Sequence, residues 1–260
     1  MATVGVIGVG SIGGSVLLAA QRAGWQGIGY DSDPASSDCG SAQDVYDRAD
    51  VVVVAVHLDA TLATLRALQA HPPKASLILD VASVKAPVVA AVTGLAHFVA
   101  THPMAGTERS GRTAARADLF DGRSWAYVPS GDTALDDRVR AFIRLCGAEP
   151  VATDAVLHDR IVALTSHAPQ VVASTISGRI LDLARTHGPA VDALCGPVAR
   201  ELLRVGRSDI GMWRALLQAN AGEVVTHLRA IASELETVAR GLEEGDRTVL
   251  ERIFVGARPR

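Results

Sequence analysis

The chain is short of the features that mark several protein classes. It has only three cysteines, Cys39, Cys146 and Cys195, far apart and without a C-x-x-C spacing. An odd, sparse set of this kind argues against a disulfide framework and offers no metal site, and it fits a reducing compartment. There is no basic stripe either. The net charge is -3, with acidic and basic residues mixed along the chain, so a nucleic-acid partner is not expected. No apolar run is long enough to span a bilayer; the longest, Val51 to Val56, has the length of a strand. The opening residues, Met-Ala-Thr-Val-Gly-Val-Ile-Gly, carry no cationic region and are interrupted by glycine. They read as a first strand and not as a secretion signal, which leads to a cytoplasmic location with no membrane partner.

What the chain does have is material for a core, since 48% of its 260 residues are hydrophobic. Short β-branched runs alternate with helical patterns through the first half. Thr3 to Ile7, Gly27 to Tyr30, Val51 to Val56, Leu77 to Asp80 and His97 to Thr101 read as strands. Gly13 to Ala23 and Ala60 to Ala70 read as helices between them. Continuous apolar strands separated by helices predict a parallel, doubly wound α/β sheet. Ser124 to Val128 and Glu149 to Thr153 are later strands flanking a helix over Ala134 to Cys146. The segment between Asp31 and Val51 is poor helix material, so a shortened connection is expected, with a single turn near Gln43 to Arg48.

After Asp154 the strand-like runs stop. Leu157 to Ala184 reads as one long helix, and Ser208-Asp209 as the cap of another. Trp213, Leu217, Val224, Leu228, Ile231, Leu235, Val238 and Leu242 recur at helical spacing and predict one long amphipathic helix. The expected organisation is a Rossmann-type domain over residues 1–153 and an all-α domain over 154–260. The helical part has no obvious closed core of its own, which points to a homodimer formed through it.

Gly8-Val9-Gly10-Ser11-Ile12-Gly13 follows a strand and opens a helix, as a dinucleotide fingerprint requires. Gly8 permits the tight turn, Gly10 lets the backbone approach a pyrophosphate, and Gly13 allows close helix–strand packing. The amides of Ser11 and Ile12 would face the phosphates at the positive end of the helix. Asp31 ends the second strand, where a carboxylate can bind the ribose hydroxyls and repel a 2′-phosphate. No Arg or Lys follows to offset that repulsion, so NAD is favoured over NADP. Asp33, before Pro34, reads as a turn residue.

Thr101-His102-Pro103-Met104-Ala105-Gly106-Thr107-Glu108 follows a strand and puts an imidazole at the edge where α/β folds bind ligands. An alcohol oxidised by NAD needs a proton acceptor, and histidine titrates near neutrality. Asp80-Val81-Ala82-Ser83-Val84-Lys85 offers the Ser83 hydroxyl nearby. At these residues the chain resembles the prephenate/arogenate dehydrogenase family over nearly its whole length. His102 to Glu108 matches the family's H-P-M-A-G-T-E, and Asp80 to Lys85 its D-x-x-S-V-K. Ser166 to Pro169 matches S-H-x-P. Arg204 with Ser208-Asp209, Met212-Trp213 and Asn220 resembles the T-R-I-A…S-D-P-x-M-W…N block.

The resemblance implies an NAD-dependent oxidative decarboxylation of prephenate to 4-hydroxyphenylpyruvate, on the route to tyrosine. In it His102 takes the proton of the ring hydroxyl and Ser83 orients that hydroxyl or the imidazole. Arg204 binds a substrate carboxylate, and Thr107, Glu108, Ser166 and Gln170 line the pocket. Subunit pairing through the helical half is also implied. Several positions depart from the family's pattern. Gln170 stands where many members carry a second histidine, Leu203 where Thr precedes the arginine, and Ile210 where Pro follows Ser-Asp. Arogenate and 4-amino-4-deoxyprephenate therefore stand as alternative substrates.

Structural alternatives stand beside these roles. His102 fits a strand-end structural residue, and Arg204 an exposed helix arginine among Arg200, Arg207 and Arg214. His167 fits a buried, hydrogen-bonded core residue, and His57 a loop position. A β-hydroxyacid dehydrogenase would need a catalytic lysine in the second half, and no lysine follows Lys85. A non-catalytic NAD-sensing protein would need the glycine fingerprint but not His102, Ser83 and Arg204 together.

Overall fold

A computed structural model describes residues 1–106, 109–208 and 210–256. The chain forms two compact units, Met1–Ile161 with Ser208–Ala219, and Val162–Arg207 with Asn220–Arg260.

In the first unit the chain runs β1 (Thr3–Ile7), α1 (Ser11–Arg22), β2 (Gln26–Tyr30), α2 (Ala42–Arg48), β3 (Val51–Val54), α3 (Leu58–Ala70), β4 (Leu77–Asp80), α4 (Ala86–Ala91) and β5 (Phe98–Val99). The strands form a parallel sheet in the order β2-β1-β3-β4-β5. Four consecutive valines make β3, all buried, because both faces of the sheet are covered. Alternation along the strands divides the core in two. Val51 and Val53 join Val4, Val6, Leu77 and Leu79 beneath Val16 and Leu17 of α1. Val52 and Val54 join Ile7, Ile28 and Ile78 beneath Val45, Leu65, Leu68 and Val88.

The weak connection after Asp31 holds more helix than its composition suggests. Asp33 accepts from the Ala35 amide at 3.1 Å and caps a 3₁₀ turn, as expected of a turn residue. The single turn expected near Gln43 to Arg48 is the seven-residue α2. A capping box stabilises its start: the Ser41 amide donates to Asp44 at 2.9 Å, and the Asp44 amide donates to the Ser41 hydroxyl at 3.3 Å.

The strand predicted over His97 to Thr101 is two strands in two sheets. β5 ends at Val99, and β6 (Thr101–Pro103) begins a second sheet with β7 (Ser124–Tyr127) and β8 (Glu149–Ala152). β6 pairs antiparallel with β7, and β7 pairs parallel with β8. The break follows from the Thr101 amide, which donates to the Asp80 carboxylate at 2.9 Å in place of extending the first ladder. Helix α5 (Thr133–Leu145), close to its predicted span, packs Val139, Phe142 and Ile143 into the first core cluster.

The helix predicted over Leu157 to Ala184 is α6 (Ala155–Val162), a π turn (Ala163–His167) and α7 (Ala168–His187). At the wide turn the Ala168 amide donates to the carbonyl of Ala163, five residues back. The extra residue accommodates Pro169, which has no N–H and would crowd the carbonyl of Thr165 in a regular helix. α8 (Pro189–Leu194) and α9 (Pro197–Val205) follow, both packed on α7.

The helix predicted over Trp213 to Leu242 is also two, α10 (Ile210–Ala219) and α11 (Ala221–Glu244). Asn220 breaks it with non-helical angles, φ −115° and ψ 27°, and its side chain meets buried His167 at 3.3 Å. α10 packs on α3 in the first unit. α11 packs on the π turn and α7, ends at Gly245 in the left-handed region, and is followed by α12 (Arg247–Gly256). In the proposed cap before α10, Asp209 lies outside the described residues. No helix among the described residues is long and apolar enough to cross a membrane.

The glycines of the fingerprint are not equivalent to the fold, and this can be tested. A Cβ on Gly13 would lie 2.0 Å from the Gly8 carbonyl oxygen, whereas one on Gly10 would meet nothing within 4 Å. Gly13→Ala is expected to lose about 1–3 kcal/mol in urea denaturation, the usual range for overpacking. Gly10→Ala is expected to stay within about 1 kcal/mol of the wild type.

Candidate active site

The glycine loop joins β1 to α1. Gly8 has φ +95°, and a Cβ there would lie 2.6 Å from the Ala55 carbonyl oxygen, so both the turn and its neighbour demand glycine. Gly13 is demanded by the contact already described. Gly10, by contrast, faces open space and meets no constraint from the protein itself. It is the N-cap of α1, which has no side-chain cap and no acidic residue in its first turn. The first amides of α1, those of Ser11 and Ile12 included, therefore have no intrahelical partner, and an anion at Gly10 would be favoured. The loop thus fits a dinucleotide's phosphates.

Asp31 follows β2 directly. Its Oδ2 accepts from the Val9 amide at 2.7 Å, and its Oδ1 from the Asp33 amide at 2.9 Å. The carboxylate thereby fastens the glycine loop to the end of β2 and keeps lone pairs for further donors. One cation near this loop was not visible in the local sequence. Arg112, remote along the chain, donates to the Ser36 carbonyl at 2.6 Å and to Asp38 at 2.7 Å. His57 is an exposed residue at the start of α3 and makes no side-chain cap.

His102 sits in the middle of β6, opposite Ala126 of β7. The strand is held by a buried charge cluster. Asp80, at the end of β4, accepts from the amides of Thr101 and Ala82, each at 2.9 Å, and from the Lys85 ammonium. Lys85 also donates to the Thr101 carbonyl at 2.5 Å. Asp80, Lys85 and Thr101 are all completely buried. Burial pushes the Lys85 amine down from its ordinary value, and the Asp80 carboxylate opposes that. Thr101 donates to the Asp80 carbonyl and accepts from the Trp125 indole at 2.9 Å. The residue preceding His102 therefore has its amide, carbonyl and hydroxyl all fixed.

The imidazole itself is engaged. His102 Nδ1 lies 3.0 Å from His158 Nε2, with the two rings inclined at 67°. His158 Nδ1 lies 2.7 Å from Asp159 Oδ1. Asp159 in turn accepts from the Lys85 amide at 2.7 Å and the Ala86 amide at 2.8 Å. Burial pushes its carboxyl up, but the hydrogen bonds from His158 and the two amides outweigh it and hold the group below the usual carboxylate range. His158 and Asp159 lie on α6, outside every motif named above. Their only local sign is an adjacent His-Asp pair; what they do depends on a strand more than fifty residues away.

Ser83 is half-buried between Ala82 and Lys85, so its backbone is anchored to the same Asp80 cluster. Among the described residues no hydrogen bond joins its hydroxyl to His102. Thr107 and Glu108 lie outside the described residues.

The second unit carries the other predicted residues. Ser166 is exposed in the π turn. His167 is buried against Asn220 and is a core histidine. Half-buried Gln170 donates to the Val205 carbonyl at 2.8 Å, which ties α7 to the residue after Arg204. Arg204 is exposed on α9, and its Nε donates to Glu201 at 2.9 Å. That hydrogen bond holds the Glu201 carboxyl below its ordinary value. The guanidinium fork thus already grips a carboxylate one helical turn away.

Comparison with known proteins adds independent findings. A family model described as prephenate dehydrogenase, nucleotide-binding domain, matches residues 21–152, and one described as prephenate dehydrogenase, dimerization domain, matches residues 154–255. The first match begins beyond the glycine loop, so the case for that loop rests on its own geometry. A relative from Streptomyces niveus, named "Probable prephenate dehydrogenase NovF", is 34% identical across 96% of this chain and 72% of its own length. Among solved structures, prephenate dehydrogenase from A. aeolicus in complex with hydroxyphenyl propionate and NAD+ has a TM-score of 0.83 at 23% identity, covering 97% of this chain and 95% of that one. Synechocystis arogenate dehydrogenase has a TM-score of 0.78 at 23% identity, covering 98% and 96%. At that identity the two structures show a shared fold.

Removing the lysine of the buried cluster tests whether it holds the site. Lys85→Met strands the Asp80 carboxylate without a cation, so a loss of about 3–5 kcal/mol in chemical denaturation is expected. Adding Asp80→Asn to that variant should recover part of the loss, because the stranded charge is gone.

Proposed function

The chain belongs to the prephenate dehydrogenase family, and on that premise we propose that it oxidises and decarboxylates prephenate to 4-hydroxyphenylpyruvate, with NAD as cofactor. The observation that carries this reading is the His102 imidazole, fixed by the Asp80–Lys85 cluster in the same unit as an uncapped glycine loop open at Gly10. NAD, when bound, supplies the hydride acceptor. The protein's task is to hold the ring hydroxyl and accept its proton, because aromatisation with loss of carbon dioxide makes the reaction strongly downhill. His102 takes that proton, and Ser83 orients the hydroxyl or the imidazole. The uncapped amides of α1 and the Asp31 carboxylate hold the phosphates and a ribose.

Arg204 binds a substrate carboxylate, a role its planar fork suits, in exchange for its hold on Glu201. Contact with substrate is assigned to Ser166 and Gln170, and the family motif extends it to Thr107 and Glu108, which lie outside the described residues. The two family models meet at Thr153, which supports assigning nucleotide binding to residues 1–153 and substrate binding and pairing to 154–260. A homodimer through the helical part is supported by the description of the second model and by apolar side chains left in solvent there. Leu194 is 85% and Phe254 70% exposed, and Leu181, Leu235 and Leu242 are exposed as well.

The test is NADH formation with prephenate, arogenate and 4-amino-4-deoxyprephenate, each with NAD and with NADP. Prephenate with NAD is expected to give the highest kcat/KM; a clear preference for either amino substrate overturns the substrate assignment. His102→Asn is expected to lower turnover by about 10²–10⁴-fold, the usual contribution of a positioned base, with NAD binding by calorimetry unchanged. Asp31→Ala is expected to weaken NAD more than NADP, and an unaltered cofactor ratio removes the ribose contact.

A further inference from the structure

We propose that Asp159 and His158 set the tautomer of His102 and receive a proton from it during turnover. This inference rests on His102 being the base. It starts from the far end of the chain of contacts. The Asp159 carboxyl lies below the usual carboxylate range and is ionised at neutral pH, with backbone amides donating to both of its oxygens. Such a group has no proton to give. The 2.7 Å contact with His158 Nδ1 is therefore an N–H donated by the histidine.

A neutral His158 then presents an unprotonated Nε2, which faces His102 Nδ1 at 3.0 Å. Two lone pairs cannot share that distance, so His102 carries its proton on Nδ1. Its Nε2 is left with a lone pair, the atom that can act as base.

The same contacts define what happens to the proton. The substrate O–H bond breaks and an N–H bond forms at His102 Nε2. The His102 Nδ1–H bond breaks and one forms at His158 Nε2. The net gain of one proton comes to rest on the His158 ring, bonded to the Asp159 carboxylate. His158 and Asp159 are only 3% and 4% exposed, so little solvent screens that pair.

Among the described residues, the elements packed around these contacts carry the following groups. Asp80 and Lys85, from β4 and its loop, pair with each other. Tyr127 of β7, opposite Thr101, accepts from Arg140 of α5 at 3.0 Å. Arg160, next along α6, is exposed. Glu108, on the segment after His102, lies outside the described residues. His158 is thus a positioning residue acting through His102.

Two measurements test this. In the protein without ligands, ¹⁵N NMR of the imidazoles is expected to show His102 protonated on Nδ1 and unprotonated on Nε2. The reverse assignment overturns the proposal whatever any variant does. In kinetics, His158→Phe removes both ring nitrogens and keeps a planar ring. It is expected to lower kcat by about 10²-fold, with the KM for substrate and for NAD little changed. The carboxylate no longer supports the His102 cation, so the acidic limb of the kcat/KM profile should move to lower pH, by about one unit.

His158→Gln, whose carbonyl can still accept from His102 Nδ1, is expected to regain much of kcat while the acidic limb stays displaced. Wild-type kcat and an unmoved limb in His158→Phe, alongside an inactive His102→Asn, would show His158 to be packing only. An active His102→Asn would instead remove the base reading itself.

Discussion

A buried charge pair organises the first unit's chemistry. Asp80 and Lys85 lie at the end of a parallel strand with no access to solvent, where an isolated charge would be very costly. Each is satisfied by the other and by the backbone around it. Through Asp80 the pair captures Thr101 and sets where the first sheet stops and the second begins. Through the Lys85 amide it captures Asp159. One ion pair thereby fixes two elements, the strand that carries His102 and the helix that carries its partner His158. Rigid placement of this kind is what a site needs when its chemistry demands mainly alignment.

Much of the frame was legible because its signals are local. Consecutive apolar residues reveal β1, β3 and β4, and the glycine pattern reveals the turn into α1. The motif around His102 identifies the family without any coordinates. The errors share a different cause: each depends on a partner far along the chain. The run from His97 to Thr101 divides because a carboxylate 21 residues earlier takes the Thr101 amide. The long helix after Trp213 divides at Asn220, whose side chain meets a histidine 53 residues before it. The role of His158 depends on His102, 56 residues away. Periodicity carries no trace of such pairings. Lys85 shows the limit most clearly: its motif points to the serine within it, while its lysine and aspartate hold the strand end together.

The departure at Gln170 and the arginine of the motif, Arg204, are linked in the second unit. Gln170 spends its amide on the carbonyl of Val205, the neighbour of Arg204, so a residue that cannot become cationic braces the arginine's helix. Arg204 itself is engaged with Glu201. In the role proposed for Arg204, a substrate carboxylate competes with that glutamate, and recognition there is an exchange between anions.

The placement of α10 bears on how the protein is made. Its residues, Ile210–Ala219, belong to the first unit and lie on α3, yet they are translated after α7, α8 and α9 of the second. The nucleotide-binding unit cannot finish folding as it leaves the ribosome. The face of α3 that α10 covers waits uncovered while some 140 further residues emerge, so the unit stays incomplete throughout that span.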